Sequence, residues 1–294
     1  MKKKIDFLVI GSQKSATSWM YNCLKDHPNI NLPESKKEIE FIGGDLFKQG
    51  GYEWYESLIS DSKPGINGDV SVEYIVCPES PELVKTRYPD VKLILVVRNP
   101  SKRALSAYYW YFRKNKLQIA ENALADALNN VIDKLPKGLE TQAGSPLLEL
   151  LHYGNYAQHL QNYLKHFAAE QIAIINYSDV AKKPKEVMQF VYQYLGVDGG
   201  FVSAQLGLKP KQNSGKKWLI KLERLAPKNQ LMAFVIDRLH QLFSEKEKAQ
   251  DPALTKAENL LDAFFKPFNK AFLQLLDEKP FVVYNRNGFN QDYK

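Results

Sequence analysis

The sequence predicts an α/β fold: one parallel β-sheet flanked by helices, in a single domain spanning residues 1–294. Three observations predict it. The apolar runs Ile5–Ile10, Val91–Val97 and Ile172–Ile175 are continuous rather than alternating, as strands covered on both faces read. Helical patterns separate them, and strands alternating with helices build a parallel sheet. Each run also exits into polar residues: Gly11-Ser12-Gln13, Arg98-Asn99 and Tyr177-Ser178-Asp179. In such sheets ligands bind beyond the carboxyl ends of the strands, so the three exits nominate one common site.

The elements follow in order. After the first strand, Trp19–Lys25 reads as a helix closed by His27-Pro28. After the second, a helix runs from Ser101 to Arg113. Gln118–Gly144 is helical in parts and is expected to form a mobile cover. Pro146–Phe167 reads as one long helical stretch leading into the third strand. Tyr177-Ser178-Asp179 is a turn before a helix over Pro184–Leu195. Gly199–Lys217 is loop-like and basic, and Asp251–Lys279 is an amphipathic helical pattern interrupted at Pro267.

The 294 residues, 44% hydrophobic and 25% charged, suffice for a sizeable core. The net charge of +7 suits an anionic cofactor or substrate, and nucleic acid equally. Two cysteines, Cys23 and Cys77, make no disulfide framework and no zinc motif, so no metal is expected. No apolar run approaches the roughly 20 residues of a membrane span, and the run after Met1-Lys2-Lys3-Lys4 is too short for a signal peptide. A cytoplasmic location is the expectation.

Gly11-Ser12-Gln13-Lys14-Ser15-Ala16-Thr17-Ser18-Trp19 is the most informative stretch. A loop between a strand and a helix start presents backbone N–H groups and the positive helix end to an anion. Lys14 adds a mobile charge, and Thr17 and Ser18 add hydroxyls. The loop departs from the nucleotide-kinase pattern GxxxxGK[ST]: Lys14 comes three residues early, and Ala16 and Thr17 hold the Gly and Lys positions. In the second exit, the fork of Arg98 suits a terminal phosphate, and Ser106 lies two turns along the next helix.

Lys14 to Trp19 resembles the 5′-phosphosulfate-binding loop of sulfotransferases that use 3′-phosphoadenosine 5′-phosphosulfate (PAPS; product PAP). Arg98 and Ser106, within Arg-Asn-Pro…Arg-Ala-Leu-Ser-Ala-Tyr, fall where that family's 3′-phosphate-binding Arg and Ser fall. The resemblance covers nearly the whole chain and implies a P-loop-like sulfotransferase fold. It also implies that Lys14 assists the leaving group, that Gln13, Ser15, Ala16, Thr17 and Ser18 surround the 5′ end, and that Trp19 stacks on adenine. Ala16 departs from the usual Gly. Tyr177 is similar to a Tyr that reaches adenine, and Ser214-Gly215-Lys216 resembles the family's basic loop closing over the cofactor.

Sulfuryl transfer needs a base for the acceptor's proton. Cytosolic members use a His between the two loops, and none lies between residues 28 and 151 here. Lys37-Glu38-Ile39-Glu40-Phe41 instead resembles the Glu segment of heparan sulfate-type members, which makes Glu38 the base and Glu40 the backup. A second active-site Lys of those members is replaced by Val70, so the acceptor site differs; Asp69 and Ser71 are candidate contacts there. The resemblance implies a sulfotransferase acting on a hydroxyl or amine of a carbohydrate or lipid-linked glycan, without nucleic acid or metal. A nucleotide kinase and a polyanion- or nucleic-acid-binding protein are the alternatives.

Overall fold

The structure is a computed structural model that describes residues 4–33, 41–59, 62–135, 145–207 and 252–293, with isolated positions between 222 and 239. Glu38, Glu40, Ser214, Gly215 and Lys216 lie outside the described residues. The chain groups into two compact units. The first comprises residues 1–99, 155–210 and 266–294; the second comprises residues 100–154 and 211–265.

The first unit holds the sheet. In chain order its strands are β1 (Phe7–Gly11), β2 (Ile30–Asn31), β3 (Ile66–Val70), β4 (Lys92–Val97), β5 (Ile172–Asn176) and β6 (Val282–Val283). They pair in the order β2-β3-β1-β4-β5-β6, all parallel. The continuous apolar runs have the expected cause, because successive residues point to opposite faces and both faces are covered. Leu8, Ile10, Leu93, Leu95, Ile172 and Ile174 enter one core cluster. Phe7, Val9, Ile94, Val96, Ala173 and Ile175 enter the other.

Helices cover each face of this sheet. One face carries α2 (Asp45–Ser57), α3 (Ser80–Arg87), α7 (Tyr156–Leu164) and the later turns of α10 (Pro252–Glu278). The other carries α1 (Thr17–Asp26) and α9 (Pro184–Leu195). Two short helices, α8 (Tyr177–Lys182) and α11 (Arg286–Asp292), complete the unit. The second unit contains α4 (Pro100–Arg113), α5 (Glu121–Ile132) and α6 (Pro146–His152). Among the described residues, no helix is long and apolar enough to cross a membrane.

Three expectations need correction. Pro146–Phe167 is two helices, α6 and α7. They part at Gly154, where a Cβ would meet the Phe265 ring at 2.6 Å, and Asn155 then caps α7 by accepting from Gln158 N–H at 3.4 Å. Tyr177-Ser178-Asp179 is the first turn of α8 rather than an open turn, because the Asn176 side chain accepts from Ser178 N–H at 3.2 Å. Pro267 does not interrupt the last long helix, which runs from Pro252 to Glu278. The lost hydrogen bond at Pro267 is outweighed there by burial of Phe265, Phe272 and Leu276.

Candidate active site

The chain steps from β1 toward β2 and β3 on one side, and from β4 toward β5 and β6 on the other. The switch point of the sheet therefore lies between β1 and β4, where a ligand crevice forms in open α/β folds. The loop after β1 and the exit of β4 meet there.

Gly11 opens the loop where a Cβ would meet Ile75 Cγ2 at 2.7 Å, so only glycine fits. Ser12 anchors the loop to the neighbouring strand: its N–H and hydroxyl both donate to Val96 O, at 2.7 and 3.0 Å. Ser12 and Ser15 hydroxyls pair at 2.7 Å. Lys14 and Ala16 take left-handed backbone conformations, φ 68° and 67°. Ala16 is the N-cap of α1 and has no side-chain cap, and no acidic residue occupies the first turn. The start of this ten-residue helix therefore carries no carboxylate of its own first turn to oppose an anion.

Lys14 and Gln13 are half-buried and Ser18 is exposed. Ser15 is fully buried, and its hydroxyl is paired with that of Ser12 inside the loop. Thr17 is also buried. Trp19 is 4% exposed and packs in the core cluster with Met20 and Leu24, which leaves little ring for an adenine to stack on. Its place on α1 turns the ring toward the sheet.

Arg98 lies one residue beyond β4. Its Nη1 donates to Lys14 O at 3.1 Å, and its guanidinium sits 4.5 Å from the Tyr177 ring centroid. The three predicted exits are therefore joined by direct contacts: Lys14 to Arg98, and Arg98 to Tyr177. Ser106 is half-buried on α4, in the second unit.

Asp69 and Ser71 are both buried and hydrogen-bonded within the fold. Asp69 is 3% exposed, and its Oδ2 accepts from Tyr55 and Tyr74 hydroxyls at 3.0 Å each. Burial, then the Asp69 charge, pushes the Tyr55 hydroxyl far above its ordinary range. Ser71 is buried and its hydroxyl accepts from Glu73 N–H at 3.4 Å. His27, at the end of α1, is bonded to the main chain through both ring nitrogens. Asn29 N–H donates to its Nδ1 at 3.1 Å, so Nε2 carries the proton and donates to Asp198 O at 3.2 Å.

Sequence reasoning missed Tyr156. It is 1% exposed, and its hydroxyl donates to Arg98 O at 2.8 Å. It also missed Asp292, whose backbone O accepts from Asn99 Nδ2 and whose Oδ2 accepts from Asn176 Nδ2, both at 2.8 Å. These asparagines sit beside Arg98 and Tyr177, and the asparagine in Arg98-Asn99-Pro100 was the one local signal.

The sulfotransferase domain family matches residues 4–206. The chain belongs to that family. Bifunctional heparan sulfate N-deacetylase/N-sulfotransferase 4 of Mus musculus is 32% identical over 202 residues, covering 65% of this chain and 22% of the relative. Its Caenorhabditis briggsae counterpart, enzyme 1, is 28% identical over 199 residues, with the same coverage of 65% and 22%. This chain thus spans 22% of the length of these bifunctional proteins. Heparan sulfate glucosamine 3-O-sulfotransferase 6 of Mus musculus is 27% identical over 278 residues, covering 91% of this chain and 70% of the relative. A solved sulfotransferase from Alicyclobacillus acidocaldarius aligns with a TM-score of 0.64 at 22% identity, over 93% of this chain and 96% of that one. That likeness agrees with the parallel α/β sulfotransferase fold expected from the sequence.

Proposed function

We propose that this sulfotransferase-family chain moves a sulfuryl group from PAPS to a hydroxyl or amine of a carbohydrate acceptor. The observation that carries the reading is the contact of two cationic exits at the switch point: the loop of Lys14 before α1, whose first turn holds no carboxylate, and the guanidinium of Arg98. A two-ended anionic nucleotide fits them, because the loop places positive φ at Lys14 and Ala16 and no carboxylate in the first turn of α1. A nucleotide kinase or a nucleic-acid binder would use neither feature in this spacing.

PAPS, when bound, supplies the activated sulfuryl group and a phosphate leaving group. The N–H groups of the first turn of α1 and the Lys14 ammonium hold the 5′ end. Lys14 also neutralises the charge that develops there as the sulfuryl group departs. The Arg98 fork holds the 3′-phosphate and Tyr177 lies beside the adenine; the roles of Ser106 at that phosphate and of Ser214-Gly215-Lys216 at the cofactor have the sequence resemblance as their support. Glu38 takes the acceptor proton; its support is the resemblance of Lys37–Phe41 to heparan sulfate-type members. The relatives' names place their own acceptors in heparan sulfate, which supports a carbohydrate or lipid-linked glycan here.

The test is calorimetry with PAP, followed by transfer of labelled sulfate from PAPS to a panel of glycans. Lys14→Ala is expected to lower transfer by about a hundredfold or more, the scale of losing one charge-stabilising donor. Glu38→Gln is expected to abolish transfer while leaving PAP affinity within about twofold, because a base acts on the proton and not on the nucleotide. Wild-type protein that binds no PAP, or a Lys14→Ala and Arg98→Ala double variant that binds it normally, would sink the reading.

A further inference from the structure

Tyr156 opens α7 directly behind the two loops. Its ring is buried against Phe272, centroids 5.6 Å apart at 60°. Its hydroxyl donates to Arg98 O at 2.8 Å, and Arg98 N–H donates back to it at 3.4 Å. The same oxygen lies 3.4 Å from Ser12 Oγ, in the loop after β1. Arg98 needs such a partner, because β4 ends at Val97 and the sheet ladder no longer serves its main chain. From that fixed main chain the guanidinium reaches across to Lys14 O at 3.1 Å, and Lys14 is held at φ 68°. A single phenol thus stands at one end of a chain of contacts that runs through Arg98 to Lys14.

We infer that Tyr156 is a positioning residue for nucleotide recognition: by fixing Arg98, it holds the 3′-end grip and the 5′-end grip at a set separation. The inference rests on the proposed nucleotide reading. A fixed separation matters for a ligand with anionic groups at both ends and is nearly irrelevant to a ligand with one. The ligand class selected is therefore the nucleotide bisphosphate, against the simple monophosphate.

The experiment measures affinities for PAP and for AMP by calorimetry, in wild type, Tyr156→Phe, Arg98→Ala and the double variant. Phenylalanine keeps the ring in the core and removes the hydroxyl. Tyr156→Phe is expected to weaken PAP by about tenfold, the upper end of what one neutral hydrogen bond contributes. AMP affinity is expected to change by less than about twofold, since it engages one grip. In the Arg98→Ala background the same substitution should have no further effect on PAP. A purely structural role would weaken both nucleotides together. Equal losses for PAP and AMP, unchanged PAP affinity, or a full effect in the Arg98→Ala background overturns the inference. Wild-type protein with no preference for PAP over AMP overturns the two-ended reading itself, and this inference with it. If Tyr156→Phe fails to fold, Arg98→Lys provides the second measurement. It keeps a positive charge but lacks the fork that serves Lys14 O and a phosphate together. Loss of the preference for PAP supports the coupling; retention of it overturns the coupling.

Discussion

At Ala16 residue type and backbone disagree. Its φ of 67° lies in the left-handed region, which costs an L-residue about 1–2 kcal/mol and costs glycine almost nothing. Ala16→Gly removes that strain but frees the unfolded chain, so the net gain is about 0.5–1 kcal/mol. Urea unfolding is expected to show a higher midpoint with an unchanged slope, and calorimetry an equal or tighter PAP affinity. A lower midpoint would mean that the methyl group's packing against the core outweighs the strain. At this scale the sequence was legible where chemistry is local. Lys14 and Arg98 announced themselves as cations at strand exits. Tyr156 did not, because its partner Ser12 lies 144 positions away and nothing in α7's own periodicity marks the hydroxyl. The burial of Trp19 was equally hidden: an aromatic beside a phosphate loop invites a ligand role, and only the fold shows that the face of α1 it occupies packs into the core.

Among elements, strands with strong apolar runs were found and two-residue strands were not. β2 and β6 carry too few residues for any period to show, and they exist because β3 and β5 offer them an edge. Helix interruptions were judged from punctuation residues alone. Gly154 was overlooked as a break and Pro267 was given too much weight, since burial around each residue decides the outcome. The close of α1 carries a pH prediction. His27 is fully buried, and burial is the main cause holding its pKa below the ordinary 6.5; the carbonyl of Asp198 pulls the other way. A depressed folded value means that the unfolded chain takes the proton first. The stabilising contribution is therefore complete above pH 6.5 and is lost as the pH falls below it toward the folded value. The thermal midpoint is expected to drop between about pH 7 and pH 5, and to drop less in His27→Gln, which is uncharged throughout that window. Parallel curves for the two proteins would remove His27 as the cause.

For the whole molecule, composition and patterning specified a parallel sheet covered on both faces, but not its strand order. Order is set by which edges pair, and the switch point between β1 and β4 appears only once β3 and β4 are seen to flank β1. The net charge of +7 is an ambiguous sign by itself, and the proposed nucleotide site gives two of its cations, Lys14 and Arg98, a specific task. A diffuse basic surface binds any polyanion, whereas two grips on adjacent strands bind one small ligand and thereby stabilise the folded state. PAP at about a hundredfold over its dissociation constant adds about 2.7 kcal/mol. At about 2 °C per kcal/mol for a chain of this size, the unfolding midpoint should rise by about 5 °C. The rise should shrink between about 0.05 and 0.5 M NaCl once PAP is held at a fixed concentration, because screening weakens the charge–charge part of binding. Duplex DNA at equal phosphate concentration should leave the midpoint within about 1 °C, since its backbone cannot enter a pair of grips spaced for one nucleotide. An equal rise with DNA would return the charge to the polyanion-binding reading. A rise with PAP that survives in the Lys14→Ala and Arg98→Ala double variant would move the nucleotide away from the switch point.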